Sequence, residues 1–299
     1  MNNHSAKRCG TVAILGETNV GKSTLLNHLV GAKVSIVTHK INTTRRRVRG
    51  IITDEANQLI LIDTPGIFQT NKVLDKGVLN SVWGAVSNVD SLILMTDPTK
   101  KLSKNFKKVW HDFSMLSDKV LNKILVINKI DQVEKTQLLI LSEELNSAIK
   151  FSETFMISAK KGHGVKNLRD WLLGNLPHRD WMFPSSQLHS LSPEILAAER
   201  TLESLLLRIH QEIPYTLKIK TDTWEEFRDG SVRIGQTIYV RRDGHRGIIL
   251  GPKGLTIKEI SRAARMELSS FLNRKVHLFI GVKVLKKSDD PSIIEQNSN

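Results

Sequence analysis

Cysteine is nearly missing from this chain of 299 residues. Cys9 stands alone, so no internal disulfide can form and no cysteine–histidine cluster offers a metal site. No apolar run approaches the roughly 18 residues of a membrane span. The stretch from Met1 to Arg8 also lacks the apolar segment of a secretory signal. A reducing, cytoplasmic location is therefore expected.

What is present is an ordinary balance of 40% hydrophobic and 25% charged residues, in a chain long enough for two domains with separate cores. The formal net charge is +14, and it is uneven. From Tyr215 to Ser288 there are 16 Lys/Arg against 7 Asp/Glu, so about a quarter of the length carries an excess of nine. Basic charge concentrated in this way favours nucleic acid or an anionic surface as a partner.

Eight residues organise the first half: Gly16-Glu17-Thr18-Asn19-Val20-Gly21-Lys22-Ser23. They follow the apolar run Thr11–Leu15 and lead through Thr24 into Leu25-Leu26-Asn27-His28-Leu29. That order of strand, glycine loop and helix is the context in which Gly-x-x-x-x-Gly-Lys-Ser binds phosphate. The glycines let successive N–H groups point into one concavity, and the positive end of the following helix adds to it. Lys22 would reach the terminal phosphates, and the Ser23 hydroxyl would hold Mg²⁺.

From residue 10 to about 176, β-rich runs alternate with helix-length amphipathic stretches, as in an α/β fold with a mostly parallel sheet. Strands are expected at Thr11–Leu15, Val48–Thr53, Leu59–Ile62, Ser91–Met95, Ile124–Ile127 and Thr154–Ile157. Helices are expected at Lys22–Leu29, Val73–Asn88, Ser103–Met115, Lys135–Ile149 and Gly164–Leu173. Ligands of such folds bind beyond the carboxyl ends of the strands, and the remaining motifs fall there. Asp63-Thr64-Pro65-Gly66 closes one strand, placing a carboxylate near Mg²⁺ and the Gly66 N–H near a γ-phosphate. Asn128-Lys129-Ile130-Asp131 closes another. The Asp131 carboxylate can accept the two donors that guanine presents side by side, Asn128 can meet the other edge of the base, and the Lys129 stem can cover its face. Ser158-Ala159-Lys160 can offer a backbone N–H to guanine O6. Between the first two motifs, Thr44, or alternatively Thr43, is expected to ligate Mg²⁺ and to close over the γ-phosphate. Arg45, Arg46 and Arg47 either touch phosphate or RNA, or form a solvated charge run.

A linker rich in Pro, Ser and His is expected over 177–191. Ser192-Pro193-Glu194 then reads as a helix start, with apolar positions Ile195, Ala198, Leu202, Leu205, Leu206 and Ile209 at helical spacing. Alternating runs follow at Tyr215–Lys220 and Ser231–Arg241, with Asp229-Gly230 as the turn between them. Gly251-Pro252-Lys253-Gly254 then lies between two helical segments, and a last strand is expected over Lys275–Leu285. Gly-x-x-Gly in an α-β-β-α-α-β order is the pattern of an α+β KH domain of type II. Arg246, Lys253, Lys258 and Arg262 would meet the nucleic-acid backbone, with Arg265 extending the stripe. The helix should turn Ile257, Ile260, Ala264, Leu268 and Leu272 inward. Residues from Ser288 onward read as a polar tail.

Together these motifs resemble the Era family of bacterial ribosome-assembly GTPases. The resemblance runs from Gly10 to about Lys287 and includes Asn42-Thr43-Thr44-Arg45, Ala197-Ala198-Glu199-Arg200 and Glu212-Ile213-Pro214-Tyr215. It implies a GTPase domain over 1–176 and a KH domain over 192–287. It also implies binding of small-subunit ribosomal RNA near its 3′ end, and peripheral association with the inner membrane; a monomer is expected. Pro252 departs from the pattern, since a basic residue or glycine is expected there; it leaves the loop one donor short, which either weakens binding or stiffens the turn. Glu17-Thr18 is also unfamiliar, though both are variable positions. Ile67 stands where Ras-like enzymes carry a water-orienting glutamine. Asn19 resembles the asparagine of GTPases that recruit K⁺ between the phosphates, or else only hydrogen-bonds within its loop.

The expected activity is Mg²⁺-assisted attack of water on the γ-phosphate of GTP, coupled to RNA binding. The rivals are a membrane-surface GTPase using its basic domain on lipid, and a constitutive RNA-binding protein with a vestigial nucleotide site. Intact Lys22, Ser23, Asp63 and Asp131 speak against the last.

Overall fold

The computed structural model describes residues 6–37, 48–64, 89–100, 122–209 and 217–285. The expected helices at Val73–Asn88 and Ser103–Met115 lie outside these residues. So do Thr43, Thr44, the three arginines, Pro65, Gly66, Ile67, Glu212–Tyr215 and the tail. The chain divides into two compact units, Met1–Ser190 and Leu191–Asn299.

In the first unit six strands form one sheet: β1 (Arg8–Gly16), β2 (Val48–Asp54), β3 (Asn57–Asp63), β4 (Ser91–Thr96), β5 (Asn122–Ile127) and β6 (Glu153–Met156). Their order is β2-β3-β1-β4-β5-β6. Only β2 runs antiparallel to its neighbour, as a hairpin with β3, and every other pair is parallel. The continuous apolar runs are buried because helices cover the sheet, and all of β4 is buried. The helices are α1 (Lys22–Val30), α2 (Lys135–Ala148) and α3 (Val165–Gly174). On one side Leu15, Leu94, Leu125 and Ile127 pack with Leu138 and Leu145 of α2. Each such side chain is worth about 1.5–3 kcal/mol when fully buried, against roughly 0–1 kcal/mol for an exposed ion pair such as Arg169–Asp54. Apolar packing therefore fixes the layers, and the carboxyl ends of β1, β3, β4, β5 and β6 open onto one edge.

The stretch expected to be a linker is instead fixed to this unit through residue 190. Gln58, fully buried on β3, donates to the Phe183 carbonyl at 2.7 Å and accepts the N–H groups of Met182 and Phe183 at 2.9 and 3.0 Å. Trp181 donates to the Ala56 carbonyl, and Arg179 forks onto Asp90. Main-chain bonds run from Ile51 N–H to the Leu188 carbonyl and from Ser190 N–H to the Arg49 carbonyl. Polar composition suggested a solvated connector, but a buried glutamine with both ends satisfied binds this strap in place.

The second unit runs α4 (Pro193–Arg208), β7 (Lys218–Glu226), β8 (Val232–Val240), α5 (Asp243–Leu250), α6 (Leu255–Leu272) and β9 (Val276–Val284). Its sheet has the order β7-β8-β9, with β7 antiparallel and β9 parallel to β8. Two expectations need correction. Strand β7 starts within the expected Tyr215–Lys220 but extends well past it, because pairing with β8 continues to Glu226 across a bulge between Thr221 and Thr223 that interrupts the alternation. Helix α4 and its C-cap bury the expected Ala198, Leu202, Leu205 and Ile209, but burial is not confined to that stripe. Ile195 and Leu206 are half-buried, while Arg200, Thr201, Glu203 and Ser204 are buried. Arg200 is paid for by partners: the Glu267 carboxylate 3.6 Å away and the Phe271 ring, whose centroid lies 4.7 Å from the guanidinium. Ser192 caps this helix by accepting the Ile195 N–H, with Pro193 in the first turn. Of the residues expected to face inward on α6, Ile260, Ala264 and Leu268 are buried, and the terminal Ile257 and Leu272 are half-buried.

Candidate nucleotide site and nucleic-acid interface

The loop between β1 and α1 turns tightly over the sheet. Gly21 has φ +105, and a Cβ there would strike the Asn128 amide, so only glycine fits. Asn19 also adopts left-handed backbone, with φ 60. Glu17, Thr18, Ser23 and Thr24 are half-buried around the loop, Asn19 is exposed, and Gly16, Val20 and Lys22 are buried. The Lys22 ammonium donates to the Gly16 and Glu17 carbonyls at 3.1 and 2.8 Å. Burial pulls its pKa down to about 8, against the opposing pull of the Asp63 and Glu17 carboxylates.

Asp63, at the end of β3, accepts the Ser23 hydroxyl at 2.6 Å and the Ser35 hydroxyl at 2.9 Å on the same carboxylate oxygen. Asn27 holds Ser35 by both its backbone N–H and its carbonyl. A serine hydroxyl and a carboxylate side by side are the hard oxygen donors that Mg²⁺ takes, so these residues fit that ion. Thr64 does not join them: it is buried, and its hydroxyl donates to the Ile14 carbonyl at 2.7 Å.

At the other end, Asn128 is a strut. Its amide donates to the Val20 carbonyl and accepts the Ala159 N–H, both at 2.8 Å. It thereby ties the glycine loop to the loop after β6. Lys129 has left-handed backbone, and its ammonium donates to the Asn19 carbonyl and to Asp97. Asp131 lies beside the Lys161 ammonium at 3.4 Å. The Ser158 hydroxyl, foremost, and Lys161 hold its carboxyl below the usual carboxylate range. Sequence reasoning missed Asp97, Ser35 and Lys161. Asp97 does follow the end of a buried strand, as Asp63 does, and that position was the available signal.

In the second unit, Gly251-Pro252-Lys253-Gly254 connects α5 to α6. A Cβ on Gly251 would collide with the Thr256 side chain, and Lys253 itself has left-handed backbone at φ 50. Pro252 opens the single 3₁₀ turn Pro252–Gly254, where its missing N–H costs no bond and its ring stiffens the loop. Arg246 on α5 and Pro252 and Lys253 in the turn are exposed, as are Lys258, Arg262 and Arg265 on the side of α6 away from Ile260, Ala264 and Leu268. A rigid turn presenting backbone and cations is suited to a phosphodiester chain.

A P-loop GTPase unit followed by a KH unit of type II is the class that this fold and site define. A family model described as "50S ribosome-binding GTPase" matches residues 11–129, and one described as "KH domain" matches residues 212–288. The chain belongs to the Era family. It is 49% identical over 282 residues to GTPase Era of Dinoroseobacter shibae, covering 94% of this chain and 92% of the relative. With GTPase Era of Agrobacterium fabrum the identity is 47% over 285 residues, covering 95% and 89%. Among solved structures, Era in complex with MgGDPNP and nucleotides 1506–1542 of 16S ribosomal RNA superposes with a TM-score of 0.88 at 32% identity, covering 98% of this chain and 99% of that one. An Aquifex aeolicus Era variant bound to GDP and AlF₄⁻ gives a TM-score of 0.86 at 34% identity, covering 94% and 95%.

Proposed function

We propose that this chain is a GTP-hydrolysing, RNA-binding switch of small-ribosomal-subunit assembly, binding 16S ribosomal RNA near its 3′ end through the KH unit. One observation carries the nucleotide reading: Asn128 and Lys129 fasten the phosphate-binding loop to the strand end that bears Asp131, so both ends of a guanine nucleotide meet one bonded frame. The loop N–H groups and Lys22 take the phosphates, Asp131 takes the N1–H and amino group of guanine, and the Lys160 N–H faces O6. Ser23 and Asp63 hold Mg²⁺, with Thr44 as a further ligand. Mg²⁺ held there would supply positive charge against the charge of the phosphates. Water attacks the γ-phosphate to give GDP and phosphate. Ile67 has no hydrogen-bonding group with which to orient that water, so turnover without an added group is slow. Support for the RNA reading comes from the stiffened Gly251–Gly254 turn beside Lys258 and Arg262, and from the excess of basic charge. The protein is a cytoplasmic monomer, and the same charge would draw it peripherally to the anionic inner membrane.

The test is phosphate release from GTP and ATP with and without Mg²⁺, beside binding of the 3′-terminal segment of 16S RNA. Mg²⁺-dependent release from GTP alone is expected, with RNA binding weakened in Lys253→Asp/Gly254→Asp while GTP turnover without RNA is unchanged. Equal turnover of ATP would overturn the guanine site, and unchanged RNA affinity across a salt series would move the RNA site elsewhere.

K⁺ beside Asn19 belongs to the same proposal. The reading is that Asn19 offers its side chain to an ion lying along the phosphates, where positive charge stabilises the leaving group; its exposure and left-handed backbone support it. GTP turnover should be faster in K⁺ than in Na⁺ at equal ionic strength, and Asn19→Ala should lose the difference. Absence of acceleration in the unmodified protein would end the K⁺ reading.

A further inference from the structure

The sheet of the second unit has one face buried and one largely open, with Thr237 the buried position on the open side. Val232, Ile234, Ile238 and Val240 of β8 point into the core, so the alternate positions point away. The register aligns these outward positions in rows: Glu225–Arg233–His277, Thr223–Gly235–Phe279, Lys220–Thr237–Gly281 and Lys218–Tyr239–Lys283. None of the outward residues is aliphatic. Phe279 stands near the middle, 56% exposed, with the Arg233 guanidinium 5.1 Å from its ring centroid. Phe227, 46% exposed, lies edge-on to His277 at 6.2 Å. The other cations among the outward positions are Lys218 and Lys220 on β7 and Lys283 on β9. The carboxylates on this side are engaged: Glu225 lies 3.6 Å from Arg233, and Asp222 accepts the Thr237 hydroxyl.

Gly281 is the telling position. It is not among the residues with positive φ, so backbone conformation does not demand glycine. A Cβ there would meet nothing closer than 3.9 Å, so packing does not demand it either. Glycine in a strand interior weakens the strand, and where the fold does not require it, it marks close approach of a ligand. Here it leaves bare backbone beside an exposed aromatic ring: a shelf one ring deep.

We propose that this outer sheet face is a second RNA-binding surface, on which an unpaired base stacks against Phe279 over Gly281 while Arg233 and the lysines of the same face take the flanking phosphates. Single strands are held in this way, by aromatic platforms within a cationic surround, with little demand on base identity. A membrane surface would call for aliphatic residues among the aromatics, and the face has none. The proposal shares with the preceding section the premise that this unit binds RNA, but it is independent of the Gly251–Gly254 loop.

Photocrosslinking of the full-length protein to a 4-thiouridine-containing oligouridylate, followed by mass spectrometry, tests it. Crosslinks at Phe279 or Tyr239 are expected, persisting in Lys253→Asp/Gly254→Asp. In that loop-disabled background, Gly281→Val should give a roughly ten-fold loss of affinity with a melting temperature equal or higher, and Phe279→Ala should match it. Crosslinks confined to 246–262 would overturn this inference and leave the loop site standing. Crosslinks nowhere would overturn both. Binding to phosphatidylglycerol vesicles but not to the oligonucleotide, lost in Phe279→Ala, would make the face a membrane contact and overturn the RNA occupant.

Discussion

Lys129 and Asp97 form an ion pair that joins the ends of neighbouring strands β5 and β4, and the same ammonium reaches the Asn19 carbonyl at 2.9 Å. Asp97 is buried, and its other oxygen accepts both the N–H and the hydroxyl of Thr99. Burial alone would raise the Asp97 carboxyl, but the hydrogen bonds from Lys129 and Thr99 outweigh it and keep it below its ordinary value. The pair thus sets where the Lys129 stem lies, and with it one wall of the proposed base site.

Asp97→Ala should therefore weaken binding of a fluorescent GDP analogue, although Asp97 itself need not touch nucleotide. Lys129 would lose its anchor and Asn19 a constraint, so a drop of about ten-fold or more is expected, with about 1–3 kcal/mol of stability lost because Lys129 stays partly solvated. Asp97→Asn, which keeps an acceptor, should fall between. Unchanged affinity in Asp97→Ala would remove any positioning role.

Asp131→Asn replaces a carboxylate that accepts two donors with an amide that can donate to a 2-oxo group. Competition of GTP and XTP for the protein should shift toward XTP. A site built around buried hydrogen bonds discriminates strongly when one of them goes unpaired, so the preference should move by orders of magnitude rather than by a factor of two. Retention of full GTP affinity would take Asp131 out of the site.

The lowered Lys22 pKa gives a pH signature in the nucleotide-free protein. Unfolded lysine titrates near its ordinary 10.5, while folded Lys22 titrates at about 8. Between those values the unfolded chain binds more protons, so Lys22 makes stability rise as pH increases through that window. The full cost of keeping this ammonium charged and buried is about 3 kcal/mol, present below pH 8 and relieved toward pH 10.5. Urea titrations at pH 7.5 and 9.5 should show the gain in the unmodified protein and lose it in Lys22→Met. Parallel behaviour of the two proteins would show that Lys22 is not the group responsible.

The nucleotide site was legible where its chemistry is contiguous. Gly16–Ser23 and Asn128–Asp131 each carry their own spacing, and the apolar runs before them announce the strands. Asp97 was not legible, because its partner Lys129 lies 32 positions away and a single aspartate after a strand has no distinguishing neighbours. The Gln58 contacts with residues 182 and 183 span more than 120 positions, so the strap looked like a connector. The buried face of Arg200 and Glu203 was hidden for a related reason. Charged residues read as solvated until a partner on another helix, here Glu267, is brought alongside.

The strap alters the mechanics of the chain. A loose connector of about fifteen residues would have an end-to-end spread of roughly 20 Å and would absorb any displacement applied to one end. Here the last main-chain bond, from Ser190 to Arg49, sits on β2, and the cap of α4 begins at Ser192. Because Leu188 and Ser190 are both bonded to β2, that edge strand cannot be peeled from the sheet without also breaking the strap away, and the strap acts as a clasp on the open edge of the first unit.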